Sequence, residues 1–297
     1  MGKELAAASP TARAVFQEVD EALGQSLSRI MFEGPEPTLT LTANAQPAIM
    51  AFSLAVLKVL EHEGGLRLAE KAAFVAGHSL GEYSALAAAG SLSLPDTARL
   101  LRLRGEAMQK AVAPGVGAMA AILGLDREAV DRIATAASVD GEICAAANDN
   151  APGQVVISGH KAAVDRAIEL AKAAGARRAM ALAVSAPFHC ALMAPAAGKM
   201  QAALESTLMQ APLVPLVANV TAQPVTDVAE LKRLLVVQVT DLVRWRESIE
   251  TLHGLGVSRF VEIGGRILAP IVKRIVPDAE TMSIVSMQTV EQAVRDL

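Results

Sequence analysis

Gly77-His78-Ser79-Leu80-Gly81 is the stretch of the chain whose residue types and spacing point most directly to chemistry. It follows a short apolar run of buried-strand type at 71–76 and precedes a helix-forming stretch at 82–89. G-x-S-x-G between a strand and a helix is the pattern of a nucleophile elbow. Glycine on both sides lets the backbone turn sharply and push the serine Oγ out of the sheet edge, while the first amides of the helix can hold a developing oxyanion. The plainer alternative is a glycine-rich turn with an incidental serine; the strand-helix context sets the first reading above the second.

A serine hydroxyl is a poor nucleophile until a base takes its proton. The five histidines are His62, His78, His160, His189 and His253. His62 and His253 lie near helix ends ahead of Gly64 and Gly254, His160 opens a helix, and His78 adjoins the serine, where neighbours at an elbow point apart. His189 is left, in the loop Ser185-Ala186-Pro187-Phe188-His189-Cys190. An isolated histidine is more often structural than catalytic, so the residues alone leave both readings open. Arg99, Arg102 and Arg104 punctuate an apolar helix. Most such arginines cover a helix face, but one turned inward presents a planar fork that grips a carboxylate through two parallel hydrogen bonds. Spacing does not say which of the three that is.

These residues need elements to hold them. Residues 10–30 and 46–63 read as helices, the second closed by Gly64-Gly65, and 96–113 as the helix carrying the arginines. From residue 117 the rhythm changes to a strand at 118–123, a helix at 127–137, strands at 142–147 and 154–158, a helix at 161–174 and a strand at 178–184. Asn-Asp-Asn-Ala-Pro-Gly supplies the turn between the middle strands. The order β-α-β-β-α-β is the ferredoxin-like split unit, which places a subdomain at 117–186 within a body made of 1–116 and 187–297. The body resumes with helices near 194–209 and 241–253, strands at 216–219 and 258–263, and a helix at 266–275. Strands alternating with helices imply an α/β fold whose parallel sheet is covered on both faces.

The 297 residues are 52% hydrophobic and 3% aromatic, with mean hydropathy +0.37, so the chain can bury a large aliphatic core and is not intrinsically disordered. Lys+Arg 27 against Asp+Glu 31 leaves a net charge of -4, which argues against nucleic acid as the main partner. Cys144 and Cys190 make neither a disulfide framework nor a zinc site, and Met1-Gly2-Lys3-Glu4-Leu5 opens without an apolar signal core. A reducing, cytoplasmic compartment is expected. Two stretches lack Asp, Glu, Lys and Arg, at 37–57 and 179–198, but polar residues and prolines interrupt both. Each is read as buried core, and no membrane span is expected.

Gly-His-Ser-Leu-Gly-Glu-Tyr-Ser-Ala-Leu at 77–86 closely resembles the active-site segment of malonyl-CoA:acyl carrier protein transacylases. So, in order, do Leu103-Arg104-Gly105 with Met108-Gln109, the segments at 117–122 and 152–159, the stretch at 184–193, and Phe260-Val261-Glu262-Ile263-Gly264. The resemblance covers essentially the whole chain. It implies a parallel-sheet, hydrolase-like body with the ferredoxin-like subdomain inserted. It also implies transfer of a malonyl group from malonyl-CoA to the phosphopantetheine thiol of acyl carrier protein through an acyl-serine, in fatty-acid or polyketide synthesis. On the same resemblance Ser79 is the acylated nucleophile and His189 its general base, without an acid partner. Gln238, in Val236-Val237-Gln238-Val239, orients the histidine through its main-chain carbonyl. Arg104 pairs with the malonyl carboxylate, and Leu80 gives one oxyanion N–H. No metal or redox cofactor is implied, coenzyme A being a product. The expected partners are malonyl-CoA and acyl carrier protein, with no nucleic acid and no membrane, acting on a monomer. Acyl carrier protein is acidic, so Arg177, Arg178, Lys273 and Arg274 are candidates for a basic rim.

The pattern departs at one end. Family members begin with an apolar strand and a Phe-Pro-Gly-Gln-Gly-Ser-Gln loop ahead of Gly-Met-Gly-Lys-Glu-Leu, whereas here Met1-Gly2-Lys3-Glu4-Leu5 stands first. The loop's glutamine gives the second oxyanion donor, and losing such a donor costs ~10²–10³ in rate. The expectation is a start placed too late, with a trimmed or an impaired copy as the alternatives. Gly265 stands where the family often has proline, a change expected to be tolerated. Two other functions stay in view. A serine esterase or thioesterase needs an acid, and Asp126, Asp131, Asp140, Asp149 and Asp165 all fall in the small subdomain. A catalytically silent docking partner is supported only by the absent loop.

Overall fold

The computed structural model describes residues 1–184 and 186–297; Ser185, part of the loop named above and of the expected subdomain, lies outside the described residues. The N-terminal third is helical. α1 (Lys3–Ala8) and α2 (Pro10–Leu23) meet at Ser9, whose hydroxyl accepts from the Ala12 N–H just behind Pro10. The single helix expected over 10–30 is two, because Gly24 at φ 57 ends α2 and α3 (Leu27–Glu33) starts afresh. α4 (Glu36–Thr40) leads into α5 (Thr42–His62), an apolar helix long enough to cross a membrane whose most apolar window is 72% buried. It packs on α2 and on α8 (Leu94–Lys110) as a core helix. Between them come α6 (Leu68–Lys71), β1 (Val75–Ala76) and α7 (Gly81–Ala88); β1 is shorter than expected because Lys71 still belongs to a helical turn.

β2 (Gly117–Leu123), α9 (Arg127–Ala137), β3 (Cys144–Ala151), β4 (Gln154–His160), α10 (Lys161–Ala173) and β5 (Arg178–Ala181) form a unit of their own. Its sheet runs in the order β3-β4-β2-β5 with every neighbouring pair antiparallel. Ile122, Val155 and Ile157 pack on Val130, Val164 and Ala167 of the two helices, an aliphatic core separate from that of the body. The expected turn between the middle strands is corrected. β3 runs on through Asn148, Asp149 and Asn150 with two register shifts, and only Pro152-Gly153 turns. The polar run stays in the strand because partners meet it from the body. Asp149 N–H donates to Val243 O at 2.9 Å and Val243 N–H to Ala147 O at 2.9 Å. The Arg246 Nε and Nη2 donate to the Asp149 carboxylate at 3.0 and 2.9 Å.

After a 3₁₀ turn at Ala191–Met193 the body continues with α11 (Ala194–Ser206), β6 (Leu216–Val217), β7 (Pro224–Val225), α12 (Val228–Val237) and α13 (Trp245–Gly254). β8 (Arg259–Ile263), α14 (Leu268–Ile275), β9 (Glu280–Ile284) and α15 (Met287–Asp296) complete it. β6 pairs in parallel with β1 and antiparallel with β7, and β8 pairs in parallel with β9. The fold is mixed α/β, but the one parallel sheet expected is, among the described residues, two short sheets with no ladder joining them. Val75, Val261 and Ile263 enter one core cluster and Phe74, Ala76 and Phe260 another, so both sheets lie between the same two apolar layers.

Candidate active site

Parallel pairing aligns Val75 with Leu216 and Ala76 with Val217, so the chain leaving β1 and the chain leaving β6 emerge together at the carboxyl edge, where α/β sheets place their sites. Ser79 leaves β1 at φ 55, a left-handed conformation rare outside glycine. Gly77 is sterically obligatory, since a Cβ there would lie 1.9 Å from the Gly81 carbonyl oxygen. Gly81 is not: nothing lies within 4 Å of the Cβ it lacks. Only the first glycine of the motif is therefore required by the turn itself.

His189 also sits at positive φ, 56°. Pro187 packs against Gly117, where a Cβ would come within 2.2 Å of the proline ring, so the loop that delivers His189 is seated on the start of β2. The Ser79 Oγ lies 2.8 Å from His189 Nε2, and His189 Nδ1 lies 2.8 Å from the main-chain oxygen of Gln238. A carbonyl only accepts, so Nδ1 carries the proton and Nε2 keeps its lone pair toward the serine. Burial first and the Arg104 cation second hold the His189 pKa down to about 3; the ring is neutral in the resting protein. Leu80 N–H, at the head of α7, has no partner among the described residues.

Arg104 is the arginine that turns inward. It is 2% exposed, while Arg99 pairs with Asp96 at the surface and Arg102 is half-buried. Its Nη2 donates to Ser79 Oγ at 3.1 Å and to Gln238 Oε1 at 2.8 Å, and its Nη1 to Gln46 Oε1 at 2.7 Å. Its Nε is buried without a partner among the described residues. Among the described residues no carboxylate pairs with it directly. Glu82 is reached through Gln238, whose Nε2 donates to the Glu82 carboxylate and, at 2.9 Å, to Ser79 O. Burial pushes the Glu82 carboxyl up to about 7, against the opposing pull of the Asn219 N–H, the Gln238 amide and Arg104.

Ser79, His189, Gln238, Leu80 and Arg104 thus converge. Sequence reasoning missed Gln46, Glu82 and Asn219, which hold them. Nothing in the local pattern marks them except the unusual polar content of otherwise apolar stretches. His78 points away from the serine, with its Nε2 2.8 Å from Asn150 Oδ1 and its ring 5.6 Å from Trp245. His160 Nδ1 accepts from the Ile143 N–H, and His253 lies near its own helix end. Among the aspartates of the small unit, Asp149 is taken by Arg246. The histidine's second nitrogen meets a carbonyl instead of an acid.

Comparison with known proteins gives the same picture. Residues 1–280 match the family described as acyl transferase domain. A malonyl CoA-acyl carrier protein transacylase of Bacillus subtilis is 45% identical over 298 residues, covering 100% of this chain and 92% of that protein. The crystal structure of an acyl-carrier-protein-S-malonyltransferase from Bartonella henselae superposes with a TM-score of 0.97 at 52% identity, covering 100% of this chain and 94% of that one. A malonyl-transacylase solved in complex with its type II PKS acyl-carrier protein superposes with a TM-score of 0.95 at 41% identity, covering 100% and 95%. With the family match spanning nearly the whole chain and a serine, histidine and buried arginine meeting at one sheet edge, this chain belongs to the acyl transferase family, among the malonyl CoA-acyl carrier protein transacylases.

Proposed function

We propose that the protein transfers a malonyl group from malonyl-CoA to the phosphopantetheine thiol of acyl carrier protein, with Ser79 as nucleophile. The observation that carries the reading is the chain Arg104–Ser79–His189–Gln238, closed by hydrogen bonds of 3.1, 2.8 and 2.8 Å. In the first half-reaction His189 Nε2 takes the Oγ proton as Oγ attacks the thioester carbonyl. The oxygen that becomes negative meets the free Leu80 N–H, and the sulfur of coenzyme A leaves with the proton from His189. In the second half-reaction the carrier thiol gives its proton to His189 and attacks the acyl-serine, and the imidazolium returns that proton to Ser79 Oγ. Arg104 grips the malonyl carboxylate with donors that include its unpartnered Nε. An acetyl group leaves those donors unpaired, a loss of roughly 1.5–3 kcal/mol, about ten- to a hundredfold in rate.

The steps call only on these side chains and backbone groups. Exposed Arg177, Arg178 and Lys273 suit an acidic carrier, while Arg274 bonds to Gln154 and Pro152 at the hairpin of the small unit. We read that unit, 117–186, as a ferredoxin-like subdomain inserted into a hydrolase-like body of 1–116 and 187–297; the β-α-β-β-α-β order supports this. Free, buried Cys144 and Cys190 suit a cytoplasmic setting.

Intact-mass spectrometry after brief incubation with malonyl-CoA tests the reading. The wild type should gain one malonyl group, lose it on addition of acyl carrier protein, and gain far less from acetyl-CoA; Ser79→Ala should gain none. An adduct that persists in Ser79→Ala would overturn the assignment of the nucleophile. Rapid release of free malonate without carrier would favour a thioesterase.

A further inference from the structure

The left-handed turn at Ser79 is spanned from outside the elbow by the side chain of Asn219, which follows β6. Its Oδ1 accepts from the Ser79 N–H at 2.7 Å and its Nδ2 donates to Gly77 O at 2.8 Å. The amide therefore spans the turn, and its two arms read the polarity of the backbone on either side of His78. Asn219 is buried with no exposure, and its own N–H donates to Glu82 Oε1 at 2.9 Å. Glu82 lies in the first turn of α7, the helix the elbow opens. Glu82 accepts the Asn219 N–H on one oxygen and the Gln238 amide on the other. The Gln238 Nε2 is thereby aimed at Ser79 O at 2.9 Å.

We propose that Asn219 is the positioning residue that locks the Ser79 elbow in its attacking conformation, with Glu82 fixing the orientation of the lock. This inference rests on Ser79 being the nucleophile and deepens that reading. The bonding pattern has a chemical consequence beyond rigidity. Asn219 uses up the amide of Ser79 and leaves the next one, Leu80 N–H, free to face the reacting carbonyl. Without the lock, Ser79 can relax toward negative φ, which turns Oγ from His189 Nε2 and swings the Leu80 N–H out of line. The residue touches neither substrate nor His189, so its loss falls on the chemical step. Capture of the malonyl carboxylate by Arg104 stays intact.

The test compares wild type, Asn219→Ala and Asn219→Asp, first confirming that malonyl-CoA acylates wild-type Ser79. A failure at that point belongs to the functional reading and not to the lock. With folded variants, rapid-quench mass spectrometry should show Ser79 acylation slowed about 10- to 100-fold at saturating malonyl-CoA, with KM within about twofold of wild type. Asn219→Asp keeps the acceptor for Ser79 N–H and loses the donor to Gly77 O, so its rate should fall between the other two. A purely structural role would lower the melting temperature while each folded molecule acylated at the wild-type rate, and that result would overturn the proposal. So would a raised KM with an unchanged rate. Hydrogen exchange in the wild type needs no variant: the Ser79 amide should be strongly protected and the Leu80 amide fast, and fast exchange at Ser79 would also sink the idea.

Discussion

His189 and Glu82 share one buried network and titrate in opposite senses. An unfolded His189 takes its proton near 6.5, whereas the buried ring stays neutral down to about 3. Between those values the unfolded chain holds the extra proton, so this group's contribution is complete above 6.5 and is lost as the pH falls. His78, also lowered by burial, acts in the same direction. Folded Glu82 keeps its proton up to about 7, while the unfolded carboxyl releases it near 4.5. Its contribution is complete below 4.5 and is lost as the pH rises. Between 4.5 and 6.5 the slopes oppose, each at most about 1.4 kcal/mol per pH unit. Glu82→Gln removes one of them, so its stability to denaturant should climb more steeply with pH across that window than the wild type's. Parallel curves would show that Glu82 is ionised throughout. None of this was legible in the sequence. Ser79 was, because a G-x-S-x-G motif carries its own strand-turn-helix context. Spacing left Arg104 as one of three arginines, and only the family resemblance singled it out; Asn219 meets Ser79 from 140 positions away.

At the scale of elements, the elbow motif divides into two unequal glycines. A Cβ on Gly77 would overlap the Gly81 carbonyl at 1.9 Å, and that contact is backbone, which cannot swing aside. Gly77→Ala must open the strand-helix junction, and acylation should fall by about 10²-fold or more. Gly81 starts α7 with free space around it, so Gly81→Ala should hold stability or raise it by up to about 1 kcal/mol. Thermal melts and acylation rates of the two variants check this; equal damage from both would contradict the geometry. Elements were legible where local signals sufficed, as for 127–137, which forms as expected behind its Asp126 cap. α12 was not anticipated although Asp227 and Glu230 have capping spacing and the Asp227 carboxylate accepts the Glu230 N–H at 2.8 Å. The Asn-Asp-Asn run read as a turn because its local chemistry favours turns. In the fold, hydrogen bonds to Val243 and Arg246 outweigh that preference.

Those same bonds decide how the molecule holds together as a whole. The small unit has its own core, and the surroundings of Ser79 are only as well defined as the joint between that unit and the body. β3 makes the joint: Asn150 meets His78 beside Ser79, Asn148 bridges to Val243, and Asp149 meets Arg246 of α13. The Asp149 side chain is 1% exposed and that of Arg246 24%, so the pair is buried on one side and wet on the other. Burial raises the Asp149 pKa, and Arg246 opposes that rise. Removing the cation leaves a carboxylate with no comparable partner in a dry site, the costly half of a buried ion pair. Arg246→Met keeps the packing of the aliphatic stem and should lower stability by about 2–4 kcal/mol, the partial exposure of Arg246 placing it below a fully buried pair. Asp149→Asn combined with Arg246→Met leaves no charge stranded and should recover a large part of that loss. Because the joint abuts the elbow through Asn150 and His78, the single variant should also slow Ser79 acylation in molecules that remain folded, and the double variant should restore it. Denaturant titration read beside single-turnover acylation separates the two effects. A variant that loses stability yet acylates normally would mean that the joint holds the small unit to the body without setting the geometry around Ser79.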